Sequence, residues 1–195
     1  MAEAQVSDRI INIPNSVTFI RLLGVPVFWW VLLGRENIGL AAGLFFAIGL
    51  TDWLDGYLAR RLNQITKLGT ALDPIADRLL IASAVVGGLI ANVIPPWFGI
   101  TLIARELFMG VVTLNMVRKG AGTLVVRYLG KTATFILFGA IPSFYLSAAD
   151  IGKAFFEPFA LLSGVVGLLL YWFVAFQYVG DARRRVMELE SSPRP

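Results

Sequence analysis

The sequence contains no cysteine and no histidine, and only 15% of its 195 residues are charged. The chain therefore has no thiolate nucleophile, no disulfide, no imidazole base and no nitrogen or sulfur ligand set for zinc. A soluble domain usually has about 25% charged and 45–50% apolar residues, whereas this chain is 57% apolar, with a mean hydropathy of +0.73. This composition excludes an ordinary soluble enzyme, and any catalysis must use carboxylates, Lys, Arg, hydroxyls and the ions that they bind.

Six mainly apolar windows have the length of about 20 residues with which a helix crosses a bilayer. They are Asn15–Leu33, Ile38–Ala59, Thr70–Asn92, Pro95–Val117, Tyr128–Ser147 and Phe155–Tyr178. We therefore expect an all-α membrane protein with six transmembrane helices. Its parts are an N-terminal segment at 1–14, a six-helix domain at 15–180 and a basic tail at 181–195. The N-terminal segment fits either a short interfacial helix or a polar tail.

The basic residues indicate how these helices are oriented. If the N-terminus is cytoplasmic, all of the 17 Lys and Arg residues except Arg35 and Lys153 fall on the cytoplasmic side. The positive-inside rule then predicts that both termini are cytoplasmic. Because the basic residues flank membrane spans and form no separate domain, nucleic acid is not expected as a partner.

Carboxylates are concentrated in the second and third windows. Asp52 and Asp55 are three positions apart, and Asp73 and Asp77 are four apart, so each pair shares one face of a helix. A short loop joins the two helices, which places both acidic faces near the same end of the bundle. A charge at membrane depth costs at least about 2.5–3.5 kcal/mol, so such residues usually serve a function.

Oxygen ligands without nitrogen or sulfur donors select Mg²⁺, Mn²⁺ or Ca²⁺. Four carboxylates fit a two-metal site, which can hold phosphate oxygens during a displacement at phosphorus. The structural alternative is that these carboxylates form interfacial ion pairs with neighbouring Arg and Lys residues. A cation-coupled membrane transporter is an alternative of a different functional class.

The acidic residues belong to a longer string that resembles the signature of the CDP-alcohol phosphatidyltransferases. The string reads Asp52-x-x-Asp55-Gly56-x-x-Ala59-Arg60, then eight residues, then Gly69-x-x-x-Asp73-x-x-x-Asp77. The resemblance implies that an alcohol displaces CMP from CDP-diacylglycerol. It also implies a homodimer in a bacterial cell membrane, with the active site facing the cytoplasm.

The same resemblance implies roles for the residues of the string. Asp52, Asp55, Asp73 and Asp77 would bind Mg²⁺ or Mn²⁺, with two ions expected. Asp77 would also be the catalytic base. The CDP-lipid pocket would be lined by Gly56, Ala59, Arg60 and Gly69.

The first window opens with a second motif. Asn15, Thr18 and Arg21 share a helix face, and the string around them resembles the opening of the phosphatidylglycerophosphate synthase and cardiolipin synthase branch. We expect Asn15 and Thr18 to contact the CDP-lipid. The alternative is a capped helix start with Arg21 extended toward the interface.

Arg105 lies next to Glu106 inside the fourth window. Adjacent residues do not face each other on a helix, so we expect Arg105 to need another anion. That anion would be a structural Asp or the phosphate of an acceptor. Aromatic residues near the predicted interfaces are expected to be interface anchors or lipid contacts without a catalytic role. These are Trp29, Trp30, Trp97, Tyr128, Tyr171 and Trp172.

The acceptor site is expected to contain Arg105, Arg118, Arg127 and Lys131. Four cations around one cytoplasmic loop favour a phosphate-bearing alcohol, and we expect glycerol 3-phosphate, which would make the protein a phosphatidylglycerophosphate synthase. The alternative is phosphatidylglycerol, which would make it a cardiolipin synthase. Basic residues suit either acceptor.

Overall fold

The computed structural model of the chain describes the backbone of residues 13–62, 67–120 and 128–191, and the side chains of residues 20–51, 76–120 and 128–187. Six α-helices occupy this described backbone, which contains no strand. They are α1 (Ile13–Trp29), α2 (Ile38–Leu62), α3 (Lys67–Ile90), α4 (Pro96–Arg118), α5 (Tyr128–Ala148) and α6 (Lys153–Ser191). The all-α fold with six helices is thus confirmed, whereas the six membrane spans remain a prediction.

Three of these helices are long and apolar enough to cross a membrane, counting described residues only. They are α4, α5 and the part of α6 up to Met187. Shorter apolar stretches cover Ile20–Gly34 and Ile38–Thr51. A five-residue π-helix, Trp30–Gly34, continues α1, and the sequence pattern did not predict it.

Helix α4 shows why the protein belongs in a membrane. Its large apolar side chains at Ile100, Leu107, Val111 and Leu114 recur at three- and four-residue steps and are all more than half exposed. The opposite side of the helix is buried and is also mainly apolar. A helix that is apolar all round lies in a large core or in lipid, and an outward stripe of this kind is not expected on a soluble monomer.

The chain forms two compact units. The first consists of Met1–Ile94 and Pro142–Phe156, and the second of Pro95–Ile141 and Glu157–Pro195. In the first unit, α1 packs against both α2 and α3. The Phe28 ring of α1 contacts the rings of Phe45 and Tyr145, and the Tyr145 hydroxyl donates a hydrogen bond of 2.6 Å to the Ala84 carbonyl of α3. These contacts fix α1 against α3.

A glycine permits this close packing in the first unit. A Cβ atom at Gly88 would lie 2.7 Å from the Ile94 side chain and 2.9 Å from the Tyr145 hydroxyl oxygen. Both distances are shorter than real Cβ contacts, so a larger residue would push α3 away from Tyr145. The Gly88 carbonyl also accepts hydrogen bonds from the backbone N–H groups of Val93 and Ile94, which close the turn after α3.

In the second unit, α4 and α6 run in the same direction. Arg105 and Phe108 of α4 contact Tyr171 and Trp172 of α6. Further along α4, Met109 is buried with Val174, Ala175 and Tyr178 of α6. Because residue numbers rise together along both helices, the two are parallel, as expected for helices separated by one intervening helix.

Three short turns are described, and each contains a residue with positive φ. These residues are Glu36 after the π-helix, Asn92 after α3, and Asp150 and Gly152 after α5. In the first turn the Asn37 side-chain oxygen accepts a hydrogen bond of 2.9 Å from the Leu40 N–H and so caps α2. Pro95 is the N-cap of α4 and Pro96 is its first residue, where a missing N–H costs nothing.

Candidate active site

Arg21 lies on the buried side of α1, where its residue is only 2% exposed. Its Nη1 donates a hydrogen bond of 2.9 Å to the Asp77 Oδ1 of α3, which is an ion pair across 56 positions of sequence. The carboxylate is less enclosed than its partner, since the Asp77 side chain is 43% exposed. Arg21 therefore holds the Asp77 carboxylate in place, while part of the Asp77 side chain stays accessible.

This arrangement contradicts the interpretation in which Arg21 extends toward the interface. A snorkelling side chain would reach the interface, but the Arg21 guanidinium is buried and bound to the predicted base. Sequence reasoning missed this role because it considered Arg21 only with Asn15 and Thr18. The available signal was that both Arg21 and Asp77 lie in apolar windows, where an unpaired charge is costly.

The remaining residues of the predicted acidic site lie in two unbroken helices. Helix α2 includes positions 52 and 55, and α3 includes 73 and 77, so the spacings of three and four residues are those of neighbours on a helix face. The predicted side chains that lie outside the described part of the structure are Asn15, Thr18, Asp52, Asp55, Gly56, Ala59, Arg60, Gly69, Asp73 and Arg127. Their predicted roles remain predictions.

A second buried arginine lies in the other unit. The Arg105 side chain is 9% exposed, and its Nη1 donates a hydrogen bond of 2.8 Å to the Oε1 of the adjacent Glu106. Its guanidinium carbon lies 3.5 Å from the centre of the Tyr171 ring. The Tyr171 hydroxyl donates a 2.5 Å hydrogen bond to the same Glu106 oxygen. Arg105, Glu106 and Tyr171 thus form one cluster, in which the Glu106 side chain is still 34% exposed.

This cluster corrects two expectations. The expectation that Arg105 could not pair with Glu106 was wrong, because the two long side chains bend toward each other although their Cβ atoms diverge around the helix. Tyr171 was expected to be an interface anchor, but its ring covers a buried cation and its hydroxyl is bonded inside the unit. Its neighbour Trp172 packs against Phe108 and Phe176.

The basic residues predicted for the acceptor are only partly brought together. Arg118 is exposed in the last turn of α4, and Lys131 is exposed in the first turn of α5. Arg105 is about 13 residues before Arg118, which corresponds to roughly 20 Å along the helix and to the opposite helix face. The structure therefore does not bring Arg105 to the place where Arg118 lies.

Comparison with known proteins agrees with this geometry. The family model described as CDP-alcohol phosphatidyltransferase matches residues 11–179. This chain belongs to the CDP-alcohol phosphatidyltransferase family. The matched region includes α1 to α5, most of α6 and both members of the Arg21–Asp77 pair.

Relatives of this CDP-alcohol phosphatidyltransferase carry two functional names. The cardiolipin synthase (CMP-forming) of Streptomyces coelicolor is 39% identical over 92% of this chain and 86% of its own length. The CDP-diacylglycerol–glycerol-3-phosphate 3-phosphatidyltransferase of Bacillus subtilis is 33% identical over 85% of this chain and 88% of its own length. The Escherichia coli protein of the same name is 32% identical over 91% of this chain and 98% of its own length.

The family assignment fixes the class of reaction. A CDP-alcohol phosphatidyltransferase transfers the phosphatidyl group of CDP-diacylglycerol to an alcohol, so the protein is a membrane enzyme of phospholipid synthesis. The transporter alternative is thereby set aside. Among the described residues, Asp77 is the member of the family signature whose contacts the structure gives.

Proposed function

We propose that this enzyme transfers the phosphatidyl group of CDP-diacylglycerol to phosphatidylglycerol, which yields cardiolipin and CMP. Asp77 acts as the base. This carboxylate is held by Arg21 at 2.9 Å yet is 43% exposed, and this single observation carries its assignment as the group that meets the acceptor hydroxyl. The name of the Streptomyces coelicolor relative, which matches over most of both chains, supports phosphatidylglycerol as the acceptor.

The reaction needs assistance at the attacking hydroxyl and at the departing CMP. A neutral alcohol is a weak nucleophile, so a positioned carboxylate should accept its proton as the new bond to phosphorus forms. The acceptor oxygen bonds to the phosphatidyl phosphorus, the bond from that phosphorus to the CMP oxygen breaks, and CMP leaves with the electron pair. Arg21 keeps the Asp77 carboxylate in place and so acts as a positioning residue.

Glycerol 3-phosphate is the second candidate acceptor, and the names of the Bacillus subtilis and Escherichia coli relatives favour it. The basic residues favour glycerol 3-phosphate less than the sequence indicated. Glu106 already pairs with Arg105, which also lies away from Arg118, so a dianionic phosphate would not meet these cations together.

The proposal includes two divalent cations, Mg²⁺ or Mn²⁺, bound by Asp52, Asp55, Asp73 and Asp77. The donor chemistry supports this, because these signature positions offer only carboxylate oxygens, on helix faces of α2 and α3. When bound, such ions would neutralise the pyrophosphate of CDP-diacylglycerol and the charge on departing CMP. Gly56, Ala59, Arg60 and Gly69 would then contact the CDP-lipid, with Asn15 and Thr18.

The proposed topology has six spans, cytoplasmic termini and an active site that faces the cytoplasm, where soluble CMP can leave. The support is the distribution of Lys and Arg residues. We also propose a homodimer, for which the family resemblance is the support.

The test is a two-acceptor assay with the purified full-length protein in detergent, with CDP-diacylglycerol and Mg²⁺ or Mn²⁺. We expect CMP release and cardiolipin with phosphatidylglycerol, and loss of both after exhaustive chelation. Phosphatidylglycerophosphate formed from glycerol 3-phosphate, without cardiolipin, would establish the second candidate. Activity that survives chelation undiminished would contradict the metal proposal while leaving the acceptor result intact.

A further inference from the structure

A groove of about 350 Å³ lies between the C-terminal parts of α4 and α6, within the second unit. Its walls include the apolar side chains of Val112 and Met116 from α4, and Val179 and Val186 from α6. Lys119 and Arg183 also line it, and no acidic residue is among the described residues that do so. The groove thus combines an apolar wall with positive charge.

The depth of the groove fits the boundary between lipid tails and headgroups. Helix α6 has 39 residues, so it is roughly 58 Å long, longer than the hydrocarbon core of about 30 Å. Helix α4 has 23 residues and is roughly 34 Å long, so Lys119 at its C-terminal end lies close to one core thickness from Pro96. Because α4 and α6 are parallel, their basic ends lie side by side, with Arg118 and Lys119 on α4.

We propose that this groove binds an anionic phospholipid as a resident membrane component. Its phosphodiester would contact Arg183 and Lys119, and part of one acyl chain would lie along Val112, Met116 and Val179, which precede these two cations along the parallel helices. Basic pockets between transmembrane helices on the cytoplasmic side recognise anionic headgroups in this way. A soluble anion would leave the apolar wall uncovered, and a zwitterionic lipid would bring a second cation toward Arg183.

The proposal is independent of the transfer reaction, and its test avoids CDP-diacylglycerol and metal altogether. The probe is phosphatidylmethanol, which has the anionic phosphodiester and two tails but no hydroxyl, so it cannot be an acceptor. Native mass spectrometry of the full-length protein from mixed micelles would measure its affinity, with phosphatidylcholine as the zwitterionic comparison. We expect phosphatidylmethanol to bind at least about tenfold more tightly than phosphatidylcholine.

Two neighbouring arginines provide a matched pair of variants. Arg183 lines the groove and Arg184 does not, while both are exposed on α6. Arg183→Gln should weaken phosphatidylmethanol binding about tenfold, which is about 1.4 kcal/mol, and Arg183→Lys should retain most of the affinity. Arg184→Gln should change it less than twofold. Equal losses in the two Gln variants, equal binding of both lipids, or no retained lipid would each overturn the proposal.

Discussion

Among the side chains that the structure describes, two arginines are buried in apolar helices, and each is neutralised differently. Arg21 pairs with Asp77, which comes from another helix and is 43% exposed. Arg105 pairs with its neighbour Glu106, which also accepts a hydrogen bond from Tyr171. Both carboxylates keep accessible surface, 43% for Asp77 and 34% for Glu106, but Asp77 reaches its arginine from another helix whereas Glu106 is the next residue in the chain. A buried arginine is therefore neutralised either across helices or from its own helix, and of these two acids only Asp77 belongs to the family signature.

The largest effect should come from substitution of Asp77. Asp77→Asn removes the base but keeps a hydrogen-bond acceptor for Arg21, so CMP release should fall by about 10²–10⁴-fold while CDP-diacylglycerol binding persists. A steady-state assay of CMP release with a parallel binding measurement checks this. The matched control is Asp150→Asn, because Asp150 is an exposed acid of the turn after α5, and it should leave turnover unchanged. Near-normal turnover of Asp77→Asn would mean that another group is the base.

Next in size is the cation that holds the base. Arg21→Gln should lower turnover by roughly 10–100-fold, because Asp77 loses its fixed position and an uncompensated charge remains near α1. Since both residues act through one carboxylate, the double variant Arg21→Gln/Asp77→Asn should be no slower than Asp77→Asn alone. The exposed Arg35, whose guanidinium lies over the Trp30 ring, supplies the control Arg35→Gln. Multiplicative losses in the double variant would show that Arg21 acts elsewhere.

The smallest effect is expected in the cluster of Arg105, Glu106 and Tyr171. Tyr171→Phe removes one hydrogen bond to Glu106 but keeps the ring over Arg105, so the free energy of unfolding should fall by roughly 1 kcal/mol. Tyr171→Leu should cost about 1 kcal/mol more, because the cation–π contact is lost as well. Unfolding titrations in detergent measure both, with Tyr128→Phe at an exposed position as the control. A tenfold rise in acceptor KM without lost stability would instead place this cluster in the acceptor site.

The position of each helix followed from the sequence, whereas the metal binding and base catalysis expected of α2 and α3 remain predictions. When the π-helix is counted with α1, predicted and observed ends differ by at most three residues for the first five helices, as with Thr70–Asn92 against α3 at Lys67–Ile90. Helix α6 is the exception, because it continues past Tyr178 to Ser191. The prediction ended it where hydropathy fell, but a helix can continue into water when its residues are good helix formers, as Arg, Met, Leu and Glu are.

The partners of the buried charges did not follow from the sequence. Helical spacing predicts only which residues share one helix face, such as Asp73 with Asp77 and Asn15 with Arg21. It cannot give a contact across 56 positions such as Arg21–Asp77, or across 65 such as Tyr171–Glu106. It also failed for Arg105 and Glu106, because side-chain length overcame the divergence of adjacent Cβ atoms.

The sequence by itself determined the apolar helices, the absence of nitrogen and sulfur ligands, and the acidic signature that marks the family. These properties depend on residue type and on spacing along one helix, both of which can be read from a linear chain. Only the tertiary structure decided which anion each buried arginine meets, that α4 and α6 run parallel, and that their basic ends border one apolar groove. Such features arise when helices distant in sequence pack together, because a buried charge then takes the partner that packing brings within reach.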